Sequence, residues 1–164
     1  MTGKPLEEAI GELLLQKNMT VSVAESCTGG LVSSKLTDVP GSSAYITLNV
    51  VTYSNDAKVR MLGIPAELIA EHGAVSEPVA AAMSQDIMKL AGSDIGVGIT
   101  GIAGPAGGTP EKPVGLVYIG ITDGNGTEVH KLNIASSFPR IEIKQEACHR
   151  ALSFLLNRLE KTSM

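Results

Sequence analysis

Thr20-Val21-Ser22-Val23-Ala24-Glu25-Ser26-Cys27-Thr28-Gly29-Gly30 carries the chain from a short apolar run into a polar turn closed by two glycines. Val21 to Ala24 reads as a buried strand, and Leu31 to Leu36, directly after the glycines, as a short helix. Strand, turn and helix in that order are the building unit of an α/β protein. The alternation continues on both sides. Upstream, Leu6, Ile10, Leu13 and Leu14 recur at helical spacing, so Pro5 to Lys17 is predicted as an amphipathic helix with Pro5 near its first turn. Downstream, Pro40-Gly41-Ser42-Ser43 is a turn and Tyr45 to Tyr53 a strand rich in β-branched residues. Asn55 caps a helix through Leu62, and Pro65 to Glu71 forms another. Ser76-Glu77-Pro78 opens a longer helix with Val79, Met83, Ile87 and Leu90 on one stripe, ended by Gly92. Ile95 to Ile99 is a strand that alternates glycine with β-branched residues, and Thr100 to Pro113 is a glycine- and proline-rich loop. Leu116 to Thr122 and Thr127 to Ile134 are strands around the hairpin turn Asp123-Gly124-Asn125-Gly126, and a last helix spans Pro139 to Leu159. The expected architecture is a three-layer α/β sandwich over a mixed sheet.

A chain of 164 residues, 43% apolar, fits one compact domain over residues 1–164 and argues against disorder. Aromatic residues make up only 3% and Trp is absent, so the core must come from Ala, Val, Ile, Leu and Met. Few stacking platforms, a formal charge of −4 and no Lys/Arg run count against a nucleic-acid partner. No apolar run approaches the roughly 20 residues that cross a bilayer. Glu7, Glu8 and Glu12 interrupt the N-terminal segment before it resembles a secretory signal. Cys27 and Cys148 alone give no disulfide framework. The expectation is a cytoplasmic protein with reduced thiols and no membrane partner.

Ser26, at the end of a buried strand, is well placed to be a nucleophile. The glycines behind it let backbone N–H groups approach a substrate, because no side chain blocks them. Its competing role is a helix N-cap, common for serine between strand and helix. The surroundings of Ser26 lack the glycines of a nucleophile elbow. Gly29 stands where a penicillin-binding type of site needs lysine, so any base must come from elsewhere. The polar cluster Tyr53-Ser54-Asn55-Asp56-Ala57-Lys58 offers one. Lys58 is either a solvated surface lysine or the base. In the first turn of a helix a cation is disfavoured by the dipole. To accept a serine proton the amine must be neutral, which costs about 4.6 kcal/mol at pH 7 from an ordinary lysine pKa. The dipole supplies only about 0.3–1 kcal/mol of that. Desolvation must do the rest, so a base at Lys58 requires burial against Ser26. The Tyr53 hydroxyl either reaches solvent from a strand end or is functional, where it orients Lys58 or relays a proton to the leaving group.

The loop that begins Thr100-Gly101-Ile102-Ala103-Gly104-Pro105 follows a strand, where ligand contacts fall in α/β sheets, and its N–H groups suit an anion such as phosphate. Gly96-x-Gly98-x-x-Gly101 matches a dinucleotide fingerprint as a string. Its first two glycines lie inside the strand, however, and Pro105 follows instead of a helix, so the match is rejected. His72, His130 and His149 are scattered with no carboxylate at ligand spacing, so no metal is expected. Cys27 reads as a buried inert thiol in preference to a nucleophile.

Taken together, Ala24 to Gly30, Pro40 to Ser43, Val51 to Lys58, His72-Gly73-Ala74-Val75-Ser76 and Thr100 to Pro105 resemble the C-terminal domain of the competence-damage-inducible protein CinA, the nicotinamide-nucleotide amidase family, here in stand-alone form. The resemblance runs from about Leu6 to Leu159. It implies a metal-independent amidohydrolase, without cofactor, that converts nicotinamide mononucleotide and water to nicotinate mononucleotide and ammonia in pyridine nucleotide salvage. It implies a catalytic set of Ser26, Lys58 and Tyr53. The turn residues Cys27, Thr28, Gly29 and Gly30 would hold the oxyanion, and Thr100, Gly101 and Arg140 would meet the small-molecule nucleotide substrate, with Lys112 a further candidate for its phosphate. A homodimer or higher homo-oligomer is expected from the same source. The chain departs from the family pattern at Leu48-Asn49, where glycine is usual. It departs again at Ser137-Phe138-Pro139-Arg140, where members tend to carry Ser-Gly-Asp-Arg. Two other readings stand beside the first: a weak or inactive paralogue serving as a nucleotide-binding or regulatory module, and an amidase for another carboxamide.

Overall fold

The computed structural model describes residues 3–163. Five strands, β1 (Val21–Glu25), β2 (Ile46–Val51), β3 (Ile95–Gly101), β4 (Leu116–Asp123) and β5 (Gly126–Asn133), form one sheet in the order β2-β1-β3-β4-β5. β1 runs parallel to β2 and β3, whereas β4 and β5 are antiparallel to their neighbours. The sheet is therefore mixed, as the sequence predicts. The α-helices are α1 (Leu6–Lys17), α2 (Leu31–Thr37), α3 (Asn55–Leu62), α4 (Ala66–His72), α5 (Glu77–Ala91) and α6 (Arg140–Lys161). Among the described residues no helix is long and apolar enough to cross a membrane.

Two apolar cores lie on opposite faces of the sheet. On one, Ile10 and Leu14 of α1, Val32 and Leu36 of α2 and the stripe Ala147, Ala151, Leu155 of α6 pack with Val21, Val23, Val97 and Ile119. On the other, Leu62 of α3, Ile69 of α4 and Val79, Met83 and Ile87 of α5 pack with Ala24, and Leu48 and Val50 lie against them. Every residue of β1 is buried, as expected of a strand covered by helices on both faces. The alternating glycines of β3 now have a reason. A Cβ on Gly98 would come within 2.6 Å of the Met83 Cβ and the Ser84 nitrogen, so α5 lies closer to the sheet than any side chain permits.

The chain leaves β1 through α2 on one face to reach β2, then returns through α3, α4 and α5 on the other face to reach β3. β1 sits between its two successors. This is a topological switch point, and it opens a crevice beyond the carboxyl end of β1, where Ser26 lies.

Several expected boundaries move. Thr100 and Gly101 belong to β3, paired with Tyr118 and Val117, so the loop starts two residues later than expected. Tyr45 lies before β2; it is 2% exposed, packed where Gly11 of α1 leaves room for its ring. Ser54, not Asn55, caps α3, its Oγ accepting the Ala57 N–H at 3.0 Å. Leu90 is 54% exposed, because the last turn of α5 overruns the start of β3, which Met88 already reaches at Gly96.

Candidate active site

Ser26 is fixed by its backbone. Its N–H donates to the Ile99 carbonyl at 3.0 Å and its carbonyl accepts the Gly29 N–H at 3.0 Å, which ties the turn to the end of β3. Its hydroxyl does not cap α2. The N-cap of α2 is Gly30, without a side-chain bond. The N–H groups of Val32 and Ser33, in the first turn of α2, donate instead to the Glu25 carboxylate, at 3.0 and 2.9 Å, while that of Leu31 donates to the Thr28 carbonyl at 3.1 Å. The Ser26 Oγ is thereby left to face α3.

Lys58 approaches from that side. Capping by Ser54 starts α3 at Asn55, which aims the first-turn Lys58 inward under the end of β2. Lys58 is 1% exposed, and its Nζ lies 3.0 Å from Ser26 Oγ, 2.8 Å from the Thr52 carbonyl and 3.5 Å from the Tyr53 carbonyl. This is the burial and reach that a lysine base requires. An uncharged amine in this place would give its two N–H groups to the two carbonyls and turn its lone pair toward the serine hydroxyl. Among the described residues no carboxylate forms an ion pair with Lys58. Burial drives the Lys58 amine below the usual lysine range. The neighbouring Cys27 thiol offers no compensating charge at neutral pH, since burial, and then the Glu25 charge, push it up to about 12.

Tyr53 lies toward solvent, the first of its two readings, and its hydroxyl does not bond Lys58. The residue is 59% exposed and its hydroxyl accepts a hydrogen bond from Arg140 Nη2 at 2.8 Å. The tie from Tyr53 to the Ser26–Lys58 pair is its carbonyl, 3.5 Å from both polar atoms. The phenol therefore orients Arg140 in place of Lys58. Arg140 also donates to the Gly104 carbonyl at 2.6 Å, so its guanidinium bridges the end of β2 and the loop after β3.

A cavity of about 270 Å3 lies between these groups, lined by Ser26, Cys27, Tyr53, Lys58, Thr100, Gly101, Arg140 and the Ile102–Gly107 loop, among others. Thr100 is 1% exposed and donates its hydroxyl to the Ala74 carbonyl at 2.9 Å, holding the segment after α4 against the cavity. Gly101 leaves room for Cys27, whose Sγ would stand 3.1 Å from a Cβ there. Thr28, Gly29 and Gly30 do not line the cavity, and the Thr28 hydroxyl is given to Glu25 at 2.6 Å. Lys112 also stands off it and donates to the His72 carbonyl. Among the described residues, no protein acceptor takes the N–H of Cys27 or Thr28.

Five contributors escaped the sequence reading: Glu25, the Thr52 carbonyl, Asn55, Ala74 and Val75. Asn55 and Ala74-Val75 line the cavity. A glutamate that ends an apolar strand, followed by Thr28 and Ser33, was the available signal for Glu25.

A mixed α/β sandwich with a buried amine held against a serine hydroxyl, at the switch point of its parallel strands, defines the class. The chain belongs to the CinA C-terminal domain family, whose model matches residues 3–159. It is similar to CinA-like proteins from Citrifermentans bemidjiense (47% identical, covering 92% of this chain and 36% of the relative) and Kosmotoga olearia (49% identical, covering 94% and 37%). The chain thus spans little more than a third of the length of these curated relatives. Among solved structures it is similar to the competence/damage inducible protein CihA from Agrobacterium tumefaciens, with TM-score 0.88 at 38% identity, covering 98% of this chain and 100% of that one. The competence damage-inducible protein A from Klebsiella pneumoniae gives TM-score 0.92 at 32% identity, covering 96% and 97%.

Proposed function

We propose that this protein hydrolyses the carboxamide of nicotinamide mononucleotide, releasing ammonia and nicotinate mononucleotide, with Ser26 as nucleophile and Lys58 as base. One observation carries this reading: an amine that is 1% exposed, 3.0 Å from a serine hydroxyl, with two backbone carbonyls to hold it and, among the described residues, no carboxylate paired to it. The neutral Lys58 amine takes the Ser26 proton as Oγ attacks the carboxamide carbon. The Cys27 N–H, unengaged and adjacent to the nucleophile, receives the developing oxyanion. As the C–N bond breaks, the Lys58 ammonium returns a proton to the departing nitrogen, which leaves as ammonia. Water, deprotonated by Lys58, then attacks the acyl-enzyme and frees the carboxylate product and Ser26. A cavity of about 270 Å3 is at the small end of ligand sites, which favours one nucleotide over a dinucleotide. Arg140 is the cation on its wall nearest to Tyr53 and is assigned to the substrate's phosphate.

Purified protein with nicotinamide mononucleotide, followed by ammonia release, tests the reading. Wild type is expected to turn over, and Ser26→Ala to lose at least 1,000-fold in kcat, on the order expected for a nucleophile. Equal rates in the two proteins would overturn it. A second reading is a nucleotide-binding module without turnover: two of the five N–H donors of the Arg140 guanidinium are engaged by Gly104 and Tyr53, which leaves others to meet a phosphate whether or not the amide is cleaved. Binding of the nucleotide without ammonia release in wild type would establish that alternative.

A further inference from the structure

Resting on the Ser26–Lys58 reading, we propose that Glu25 is a positioning residue: its carboxylate sets the shape of the turn that bears Ser26 and so holds the serine in register with Lys58. Glu25 is 0% exposed. Among the described residues no lysine, arginine or histidine pairs with it. Its charge is met by four donors instead. Oε1 accepts from the Thr28 hydroxyl at 2.6 Å and the Val32 N–H at 3.0 Å. Oε2 accepts from the Ser33 N–H at 2.9 Å and the Ser33 hydroxyl at 2.6 Å. The carboxylate therefore bridges Thr28 in the turn and the Val32 and Ser33 N–H groups in the first turn of α2, closing a loop around Ser26 to Gly30.

The main chain of the same residue fixes the other half of the pair. The Glu25 carbonyl accepts the Thr52 N–H at 2.8 Å, and the Thr52 carbonyl accepts Lys58 Nζ at 2.8 Å. Ser26 and the amine are thus both hung from Glu25, one by the peptide bond and one through Thr52. The geometry also accounts for a full carboxylate at this place. A glutamine has one acceptor oxygen, and whichever way its amide turns, its NH2 faces the N–H of Val32 or of Ser33. An aspartate is one methylene too short to reach both. The N–H groups at the start of α2 are consumed internally, so the helix end is a support for the turn and offers nothing to a ligand.

The test reads the serine directly as well as through turnover. A fluorophosphonate probe reacts with an activated serine: the Ser26 Oγ–P bond forms, the P–F bond breaks, fluoride leaves and Lys58 takes the proton. Labelling rates, kcat and KM for nicotinamide mononucleotide, and thermal melts are measured for wild type, Glu25→Gln, Ser33→Ala and Thr28→Val. Glu25→Gln is expected to lower both the labelling rate and kcat at least 30-fold, with KM changed less than threefold in the folded protein. Ser33→Ala, which removes one of the four donors, is expected to show the same split at about fivefold. In its pH profile the plateau falls and the inflection set by Lys58 stays in place. If Glu25→Gln does not fold, Ser33→Ala and Thr28→Val decide. Wild-type labelling and kcat in folded Glu25→Gln, or in both milder variants where that protein fails to fold, would overturn the proposal. So would losses that follow the folded fraction alone. Labelling of wild type without hydrolysis would sink the substrate assignment while the labelling rates still decide on Glu25. No labelling of wild type would remove the Ser–Lys reading and this proposal together.

Discussion

At the scale of the residue, Lys58 is in a place where lysine lowers stability. An ammonium that is 1% exposed has lost most of its hydration, and Thr52 and Tyr53 return two carbonyls and no countercharge. Its native pKa is lowered by that burial. Between this lowered value and about 10.4, the unfolded chain holds a proton that the folded chain does not, so stability rises with pH across that window. Below it both states are protonated, and the fold carries the full cost of the buried charge. Lys58→Met, similar in length and apolar, is therefore expected to be more stable than wild type at pH 7 by about 1 kcal/mol while losing activity. Its melting temperature should also lack the rise toward alkaline pH that wild type shows. Thermal melts of both proteins at several pH values check this, and a less stable Lys58→Met at neutral pH would count against a strained lysine. The residue scale also shows where sequence is a poor guide. That Ser26 and Lys58 belong together follows from the strand–turn setting of one and the first-turn placement of the other. The partner of the Tyr53 hydroxyl does not follow, because Arg140 lies 87 positions away and no local pattern links them.

At the scale of the element, the hairpin and the last helix are joined by one buried ion pair. Asp123 accepts from Arg158 Nε at 2.7 Å and also from Arg158 Nη2, and the same arginine donates to the Gly126 carbonyl at 3.0 Å. The side chains are 1% and 13% exposed. The hydrogen bond from Arg158 holds the Asp123 carboxyl below the usual carboxylate range. The linkage has the opposite sign to that of Lys58. The contribution is complete above the unfolded value of about 3.9 and is lost as pH falls through the lowered native value. Asp123→Asn should cost about 2 kcal/mol at pH 7, because it takes the bidentate carboxylate from a largely buried guanidinium and leaves it only the more exposed Glu128, 3.3 Å from Nη1, and the difference from wild type should close in acid below about pH 3.9. Denaturant unfolding at pH 7 and in acid measures it; equal stability at pH 7 would show the pair to be neutral. Element type and order were legible throughout, since apolar spacing reports them. Ends were less so. Thr100 and Gly101 read as loop because glycine and proline follow, yet pairing with β4 keeps them in β3. Asn55 and Ser54 are equally good caps by composition, and only the Ala57 N–H distinguishes them.

At the scale of the whole molecule, the candidate site exists because the crossover from β1 to β2 and the return from β2 to β3 lie on opposite faces of the sheet, with β1 between the two strands they reach. The turn after β1 brings Ser26, the end of β2 leads to Tyr53 and Lys58, β3 ends in Thr100 and Gly101, and the start of α6 adds Arg140. The mixed sheet could be read from alternation followed by a hairpin. Glu25 left only a faint trace, a glutamate ending an apolar strand ahead of Thr28 and Ser33, because a buried carboxylate makes no periodic signal and its donors from the turn and from α2 come together only on folding. The dryness that lowers the Lys58 pKa is likewise a product of the complete sandwich. The most direct measurement is therefore an NMR titration of the Lys58 Nζ, assigned by comparison with Lys58→Met, in the folded protein and in denaturant. A folded-state pKa well below 10.4 that returns to the free-lysine value on unfolding is the result expected. A Lys58 that titrates at or above 10.4 in the native protein would contradict the neutral base.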